Sequence, residues 1–91
     1  MYLKPITPYE AVPVLGSDIS LATVVSVMNN SGAPCVIRVN NGEAANDQPS
    51  VVLATGERAT IAKDSWNEIY AEDLNGSPAS NVYATKVAYG N

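Results

Sequence analysis

Four acidic side chains form the densest group of potentially reactive residues in the chain: Asp64, Glu68, Glu72 and Asp73. Two facing carboxylates can act as general acid and general base, and several carboxylate oxygens together can bind calcium. This stretch has no calcium-loop pattern and no glycine at which such a loop would turn. We therefore interpret the cluster as a solvated surface and expect no catalytic residue, metal or cofactor there.

Cys35 is the one cysteine of the chain, and the chain contains no histidine. A cysteine nucleophile is activated by a neighbouring base, which is often histidine. Cys35 instead begins an apolar run in which Cys35, Ile37 and Val39 share one face of a strand. Free cysteines are among the most frequently buried residues. The sequence therefore predicts a buried structural thiol and a protein that is not an enzyme.

The distribution of charge argues against nucleic acid as a partner. The net charge is −4, and the five Lys and Arg residues are scattered singly rather than clustered to neutralise phosphates. The start of the chain lacks the basic and apolar regions of a signal peptide. No apolar run reaches the ~18 residues of a membrane helix. We expect synthesis in the cytoplasm and neither nucleic acid nor a membrane as a partner.

Large exposed side chains are the best candidates for function, because Trp and Tyr are enriched where proteins meet. Tyr2 and Tyr9 lie on a segment with three prolines, and we expect them to contact another chain. For Trp66 the sequence leaves a core position and an interface position equally open. The candidate contact residues are Tyr2, Leu3, Ile6, Tyr9, Arg58, Trp66 and Tyr70.

The elements that must position these residues are short strands. Gly- and Asn-rich turn signals recur between apolar runs of strand length, a pattern typical of a sandwich or barrel. The prolines exclude a helix or a central strand near the start of the chain. We predict an all-β antiparallel sandwich or flattened barrel, Ig-like or jelly-roll-like, with six to seven short strands. Residues 1–15 form an extended arm or edge strand, and residues 16–91 form one sandwich domain.

Two hairpins are predicted from these signals. Alternation over 19–28 places Leu21, Val25 and Val27 on the core face of a first strand, which is expected to pair with a strand over 35–40. A second hairpin is expected over 51–63. Its turn needs a residue that accepts positive φ, as glycine does. The residues with structural roles are Gly32 and Gly56 in the turns and Leu53 and Ile61 in the core.

The segment 65–76 allows two structures. Ser65 and Glu68 match a helix capping box, and Trp66 and Ile69 have helical spacing, so local signals favour a short helix. The alternative is a strand over 68–72, with Ile69 and Ala71 facing inward. A final strand is predicted near the C-terminus.

Several motifs together resemble a known class of protein. They are Val27-x-Asn29-x-x-Gly32, then Leu53-x-x-Gly56-Glu57-x-x-x-Ile61-x-Lys63, an Ile69 to Ala71 element, and Val82-x-Ala84-x-x-Val87-Ala88-Tyr89. Over residues 20–90 the chain resembles small virion structural proteins, of the capsid decoration or cement type, from tailed phages of marine bacteria and cyanobacteria. The resemblance favours a strand over 68–72.

The resemblance implies a function without catalysis. Such a protein stabilises the shell by contacts with the major capsid protein, associates with itself as a dimer or trimer or with other virion subunits, and resides on the capsid surface. A head–tail connector, tail or fibre position is the alternative within the virion. A carbohydrate- or receptor-binding sandwich, with Trp66 and Tyr70 as a stacking platform, is the alternative from another class.

Overall fold

Residues 2–90 fold into eight strands and one 3₁₀ turn at Ala45–Asp47. The computed structural model describes residues 2–90, and describes side chains for residues 3–88. The all-β class is confirmed, and the strands exceed the expected number because the first fifteen residues contribute two. The strands are β1 (Tyr2–Pro5), β2 (Glu10–Ala11), β3 (Val24–Asn29), β4 (Cys35–Asn40), β5 (Ser50–Leu53), β6 (Arg58–Ala62), β7 (Glu68–Asp73) and β8 (Val82–Gly90).

The strands form two antiparallel sheets that pack as a small β-sandwich. In the five-stranded sheet, β1 and β2 both pair with β8, which is followed by β3 and then β6. The three-stranded sheet has the order β5-β4-β7. Within residues 2–90, no helix is long and apolar enough to cross a membrane.

The core lies between the two sheets and consists mainly of β-branched side chains. Alternate residues of the central strands point inward, since successive side chains of a strand lie on opposite faces. The predicted inward positions Cys35, Ile37 and Val39 are all buried, as are Ile69 and Ala71. The other buried apolar residues of this cluster are Ile19, Ala22, Val25, Val27, Leu53, Val82 and Ala84.

Neither predicted hairpin exists. β3 pairs with β6 and β8, whereas β4 pairs with β5 and β7. The turns around Gly32 and Gly56 therefore carry the chain from one sheet to the other as arches. Leu53 is buried, but Ile61 is only half-buried because β6 lies at the open edge of its sheet.

Asn29 holds the two arches together and is the one buried polar residue among the side chains of residues 3–88. Its side-chain Nδ2 donates to the carbonyl oxygens of Ala33, at 2.7 Å, and Leu53, at 3.0 Å. Its Oδ1 accepts hydrogen bonds from the backbone N–H of Ser31, at 2.9 Å, and from the Ser31 hydroxyl, at 2.6 Å. A single side chain thus fixes the end of β5 against the turn that follows β3.

The first long strand begins at Val24, not at Ile19, so the predicted inward position of Leu21 is wrong. Ile19, Ser20 and Leu21 have φ values of 51°, 58° and 58° and form a left-handed turn. The Asp18 carboxylate accepts the Leu21 N–H at 3.1 Å and supports that turn. The turn buries Ile19 and leaves Leu21 44% exposed.

The segment after β6 contains no helix. β7 pairs with β4 over six consecutive positions, from Glu68 to Asp73. Ser65 and Trp66 form a turn before it, and Trp66 is 79% exposed, so it is not a core residue. The local helix signals are overridden because the inward face of β7 supplies Ile69 and Ala71 to the core.

The N-terminal segment forms an interrupted edge strand along β8. Residues 2–5 pair with residues 87–90, and Glu10 and Ala11 pair with Ala84 and Tyr83. Backbone bonds from the Ile6 N–H to Lys86 and from the Val12 N–H to Val82 continue this path at 2.9 and 2.8 Å. The prolines are tolerated because the strand lies at a sheet edge.

Replacing Gly56 with valine is expected to lower the free energy of unfolding by at least ~1 kcal/mol, because a β-branched residue is strained at positive φ. Gly56 has a φ of 81°, and no described atom beyond its two chain neighbours lies within 4 Å of an added Cβ, so the effect isolates backbone strain. Gly56→Asn is the control, since asparagine tolerates this conformation. Denaturant unfolding measures both, and equal losses would contradict the explanation.

Candidate functional site

The outer face of the five-stranded sheet presents aligned rows of side chains. Directly opposite residues of antiparallel strands point to the same side. Met28 on β3 lies opposite Arg58 on β6 and opposite Tyr83 on β8. The result is a row of a guanidinium, a thioether and a phenol across three strands.

The N-terminal segment adds one wall to this row. The Tyr9 ring packs edge-on against the Tyr83 ring, with centroids 5.7 Å apart and an interplanar angle of 83°. Tyr9 is nevertheless 73% exposed. Together the sheet and the segment form a groove of about 620 Å³, here named the outer-sheet groove. It is lined by Leu3, Pro5, Tyr9, Ser26, Met28, Arg58, Tyr83, Thr85 and Val87.

The groove is suited to binding by apolar and aromatic contact. Among the described residues that line it, Arg58 carries the only charge. None of them is a carboxylate, and none is a cysteine that a base could activate. Met, Tyr and Arg are enriched at protein interfaces. The arrangement offers an adaptable apolar floor, two phenol hydroxyls and one guanidinium.

The structure brings three predicted contact residues together in the groove and places Ile6, Trp66 and Tyr70 elsewhere. Leu3, Tyr9 and Arg58 all line it. Ile6 is 48% exposed but does not line the groove. Tyr2 lies in β1, and its side chain lies outside the described residues.

Trp66 and Tyr70 occupy other surfaces. Trp66 lies in the loop between β6 and β7. Tyr70 lies on the outer face of the three-stranded sheet, where its hydroxyl donates to the side-chain oxygen of Gln48. Within the described side chains, the one close aromatic pair is Tyr9 and Tyr83.

Met28 and Tyr83 are groove residues that the candidate set did not include. The available signal was the alternation of their strands: Val25 and Val27 face inward, so Met28 must face outward. Met28 and Tyr83 are half-buried on the outer face of the sheet. A face that contacts only solvent does not require a methionine or a tyrosine.

Two of the four acidic residues, Glu72 and Asp73, have structural roles. The Glu72 carboxylate accepts a 2.7 Å hydrogen bond from the Arg38 guanidinium. Asp73 accepts the backbone N–H groups of Asn75 and Ser77 and fixes the turn after β7. No group of three or more potential metal ligands occurs within residues 2–90.

Cys35 is fully buried, and burial raises the pKa of its thiol. The folded chain therefore holds the thiol proton more tightly than the unfolded chain does. This stabilising contribution is present below about pH 8.5, the ordinary pKa of a thiol, and is lost as the pH rises above it.

Alkylation of Cys35 by iodoacetamide at pH 8 is expected to be at least ~100-fold slower in the folded chain than in guanidinium chloride, because the reagent must await opening of the core. The variant Ser80→Cys places a thiol at an exposed position and serves as the control. Equal rates for Cys35 in the folded and unfolded chain would contradict its burial.

No family model, curated protein or solved structure matches this chain.

Proposed function

We propose that this chain is a non-enzymatic structural protein of a phage virion that decorates the capsid and binds the major capsid protein through the outer-sheet groove. The outer-sheet groove is the observation that supports binding to the major capsid protein. The motifs Leu53-x-x-Gly56-Glu57 and Val82-x-Ala84-x-x-Val87 support the virion part, through their resemblance to virion proteins.

The composition of the groove favours a protein partner. Binding energy at protein interfaces concentrates in buried Tyr, Trp and Arg anchors at the centre of the contact. Tyr9 and Tyr83 support each other edge-on, which fixes their orientation before binding and lowers the entropy lost on contact. Arg58, at the far side of the groove, supplies a group that recognises carboxylates in a planar geometry.

The mechanism is passive. A rigid sandwich placed where shell subunits meet adds buried area to each joint. The edge strand β1 places Leu3 and Pro5 at the rim of the groove. The N-terminal segment is therefore already ordered on its own sheet before the groove contacts the shell. The absence of histidine from the chain and the burial of Cys35 support a role without catalysis.

Replacing Tyr9 with alanine is expected to weaken binding to shells of the encoding phage at least tenfold, because truncation of an aromatic anchor costs about 2 kcal/mol or more. The measurement is co-sedimentation of the purified chain with shells assembled without it. Trp66→Ala removes an equally exposed aromatic outside the groove and should leave the occupancy unchanged.

Two results would overturn the proposal. One is the absence of binding by the wild-type chain to the shells. The other is binding that Tyr9→Ala and Trp66→Ala reduce equally. Labelling of intact virions separates a shell position from a connector, tail or fibre position.

A carbohydrate-binding module is the second candidate, favoured by the 79% exposure of Trp66. Exposed aromatic faces stack on sugar rings much as they stack on other flat apolar faces. A glycan-array signal that Trp66→Ala removes and Tyr9→Ala preserves would support this function over capsid decoration.

A further inference from the structure

The edges of the two sheets differ in how they are protected. The β7 edge is covered, because Ser17 forms a bridge with Ile69 and the Ala79 N–H donates to the Ala71 carbonyl. The edge formed by β1 and β2 is interrupted between Pro5 and Glu10. The β6 edge has neither a covering segment among the described residues nor a proline.

The hydrogen-bond register shows which backbone groups β6 leaves unpaired. The Asn29 N–H donates to the Glu57 carbonyl, and the Lys63 N–H donates to the Thr23 carbonyl. Hydrogen-bonded pairs alternate along an antiparallel ladder, so every second residue between Glu57 and Lys63 bonds to β3. The residues whose N–H and C=O groups point away from the sheet are Arg58, Thr60 and Ala62.

We propose that β6 pairs with β6 of a second copy of the chain, antiparallel about a twofold axis at Thr60. This pairing joins two five-stranded sheets into one continuous sheet. It satisfies all three outward-pointing backbone positions in each copy. It also aligns the whole of Arg58–Ala62 with the same strand of the second copy.

The register about Thr60 is complementary in charge. In this register the numbers of two opposite residues add up to 120. Glu57 therefore lies opposite Lys63 of the second copy, and this pair occurs at both ends of the ladder. Arg58 lies opposite Ala62, so no like charges meet. Among the described residues the one ion pair within 4 Å joins Arg38 and Glu72. Glu57 and Lys63 therefore have no such partner among the residues that the structure describes.

Lys63 already has neighbours that hold its charge in place. Its Nζ donates to the carbonyl oxygens of Asp64 and Ser65 at 3.2 and 3.4 Å. The Glu57 carboxylate accepts the Ala54 N–H at 3.0 Å. Both charged groups are thus attached to the ends of β6 before a second copy arrives, which lowers the entropy cost of pairing.

The residues of β6 do not block pairing of this edge with a strand of another chain. Exposed edges are usually protected by lysine, proline, a bulge or an inward-pointing charge. Between Arg58 and Ala62 the strand contains only Ala, Thr and Ile. Directly opposed threonines at Thr60 form a favourable cross-strand pair.

The core is open beside this same edge. A cleft of about 250 Å³ lies between the sheets and is lined in part by Ile37, Val51, Ala59 and Ile61. Pairing about Thr60 places Ile61 of one copy opposite Ala59 of the other on the core-facing side. A second copy therefore adds apolar cover to the mouth of the cleft.

The dimer goes beyond the proposed function and does not depend on it, because it forms from the purified chain alone. Opposed residues of an antiparallel pair point to one side, so the two outer-sheet grooves lie on the same face of the joined sheet. Two grooves on one face permit bivalent attachment to a surface of repeated subunits.

The test is sedimentation equilibrium of the full chain across a range of concentrations. The wild-type chain is expected to form dimers. Glu57→Lys or Lys63→Glu alone opposes like charges at both ends of the ladder and should weaken the dimer about tenfold. The double variant Glu57→Lys/Lys63→Glu restores opposite charges and should recover the wild-type dissociation constant to within about threefold. Glu43→Lys makes the same charge change on an exposed loop and should have no effect.

Thr60→Pro provides a second test, because it removes an N–H that points away from the chain's own sheet. This variant is expected to be monomeric, with its folding checked by circular dichroism. A monomeric wild type at millimolar concentration, a trimer, or failure of the double variant to recover dimerisation would overturn the proposal. The charge variants decide the matter if Thr60→Pro does not fold.

Discussion

Replacing Asn29 with alanine is expected to lower the free energy of unfolding by about 2–4 kcal/mol, the largest effect expected of any polar substitution among the described side chains. The Asn29 side chain is fully buried and donates to two carbonyl oxygens in different arches. Alanine leaves the buried Leu53 carbonyl oxygen without this donor and removes the oxygen that accepts the Ser31 N–H. The Ala33 carbonyl oxygen keeps the Ser31 hydroxyl as a donor. Each buried group that loses its partner costs about 1–3 kcal/mol.

Asn30→Ala is the matched control for Asn29→Ala. Asn30 is adjacent and of the same residue type, but its side chain is exposed. Its replacement should change the free energy of unfolding by less than ~0.5 kcal/mol. Guanidinium unfolding at equilibrium measures both variants. A loss below ~1 kcal/mol for Asn29→Ala would show that the two arches stay in place without this side chain.

Leu53→Ala is expected to cost about 2–5 kcal/mol, because it removes apolar contacts and leaves a cavity in the core. Leu53 ends β5 and is 3% exposed, and its carbonyl oxygen also accepts the Asn29 side chain. The sandwich is small and its core is made largely of valine, isoleucine and alanine, so no large neighbour can fill the space.

Leu21→Ala is the control for the same chemical change at an exposed position. Leu21 points outward from the left-handed turn before β3, and its truncation should cost less than ~1 kcal/mol. Thermal or denaturant unfolding of the two variants side by side gives the comparison. Equal losses would mean that the chain before β3 packs as a strand with Leu21 in the core.

The two variants at Leu53 and Asn29 are also coupled through one hydrogen bond. The Leu53 carbonyl and the Asn29 amide meet at 3.0 Å in a buried position. Truncating the Leu53 side chain opens a cavity beside that carbonyl and lets the end of β5 shift relative to the Asn29 amide, so the double variant should show an interaction energy of about 0.5 kcal/mol or more. Strict additivity would mean that the β5 end and the first arch respond independently.

Local sequence patterns are sufficient to predict the class of the fold and the direction of many side chains. In β4, Cys35, Ile37 and Val39 were expected to share a face, and all three are buried. In β7, Ile69 and Ala71 were assigned inward in the same way. These features are predictable because the alternation of side chains is a local property of an extended backbone and needs no knowledge of the partner strand.

The three-dimensional packing decided which strands pair. Turn residues such as Gly32 and Gly56 indicate that the chain reverses, but a reversal serves equally well in a hairpin and in an arch. The choice depends on which arrangement closes both sheets over one core. Asn29 takes part in that choice through bonds to Ala33 and Leu53, and Leu53 is 24 residues away in the sequence.

The candidate surface required the same long-range information. Leu3, Tyr9 and Arg58 were identified as contact residues one at a time, on the basis of residue type. They form one groove only because β8 lies between the N-terminal segment and β3, and because β6 lies beyond β3. Side-chain direction follows from the local backbone, whereas proximity between distant strands follows from the sheet order, which is set by the packing of the whole core.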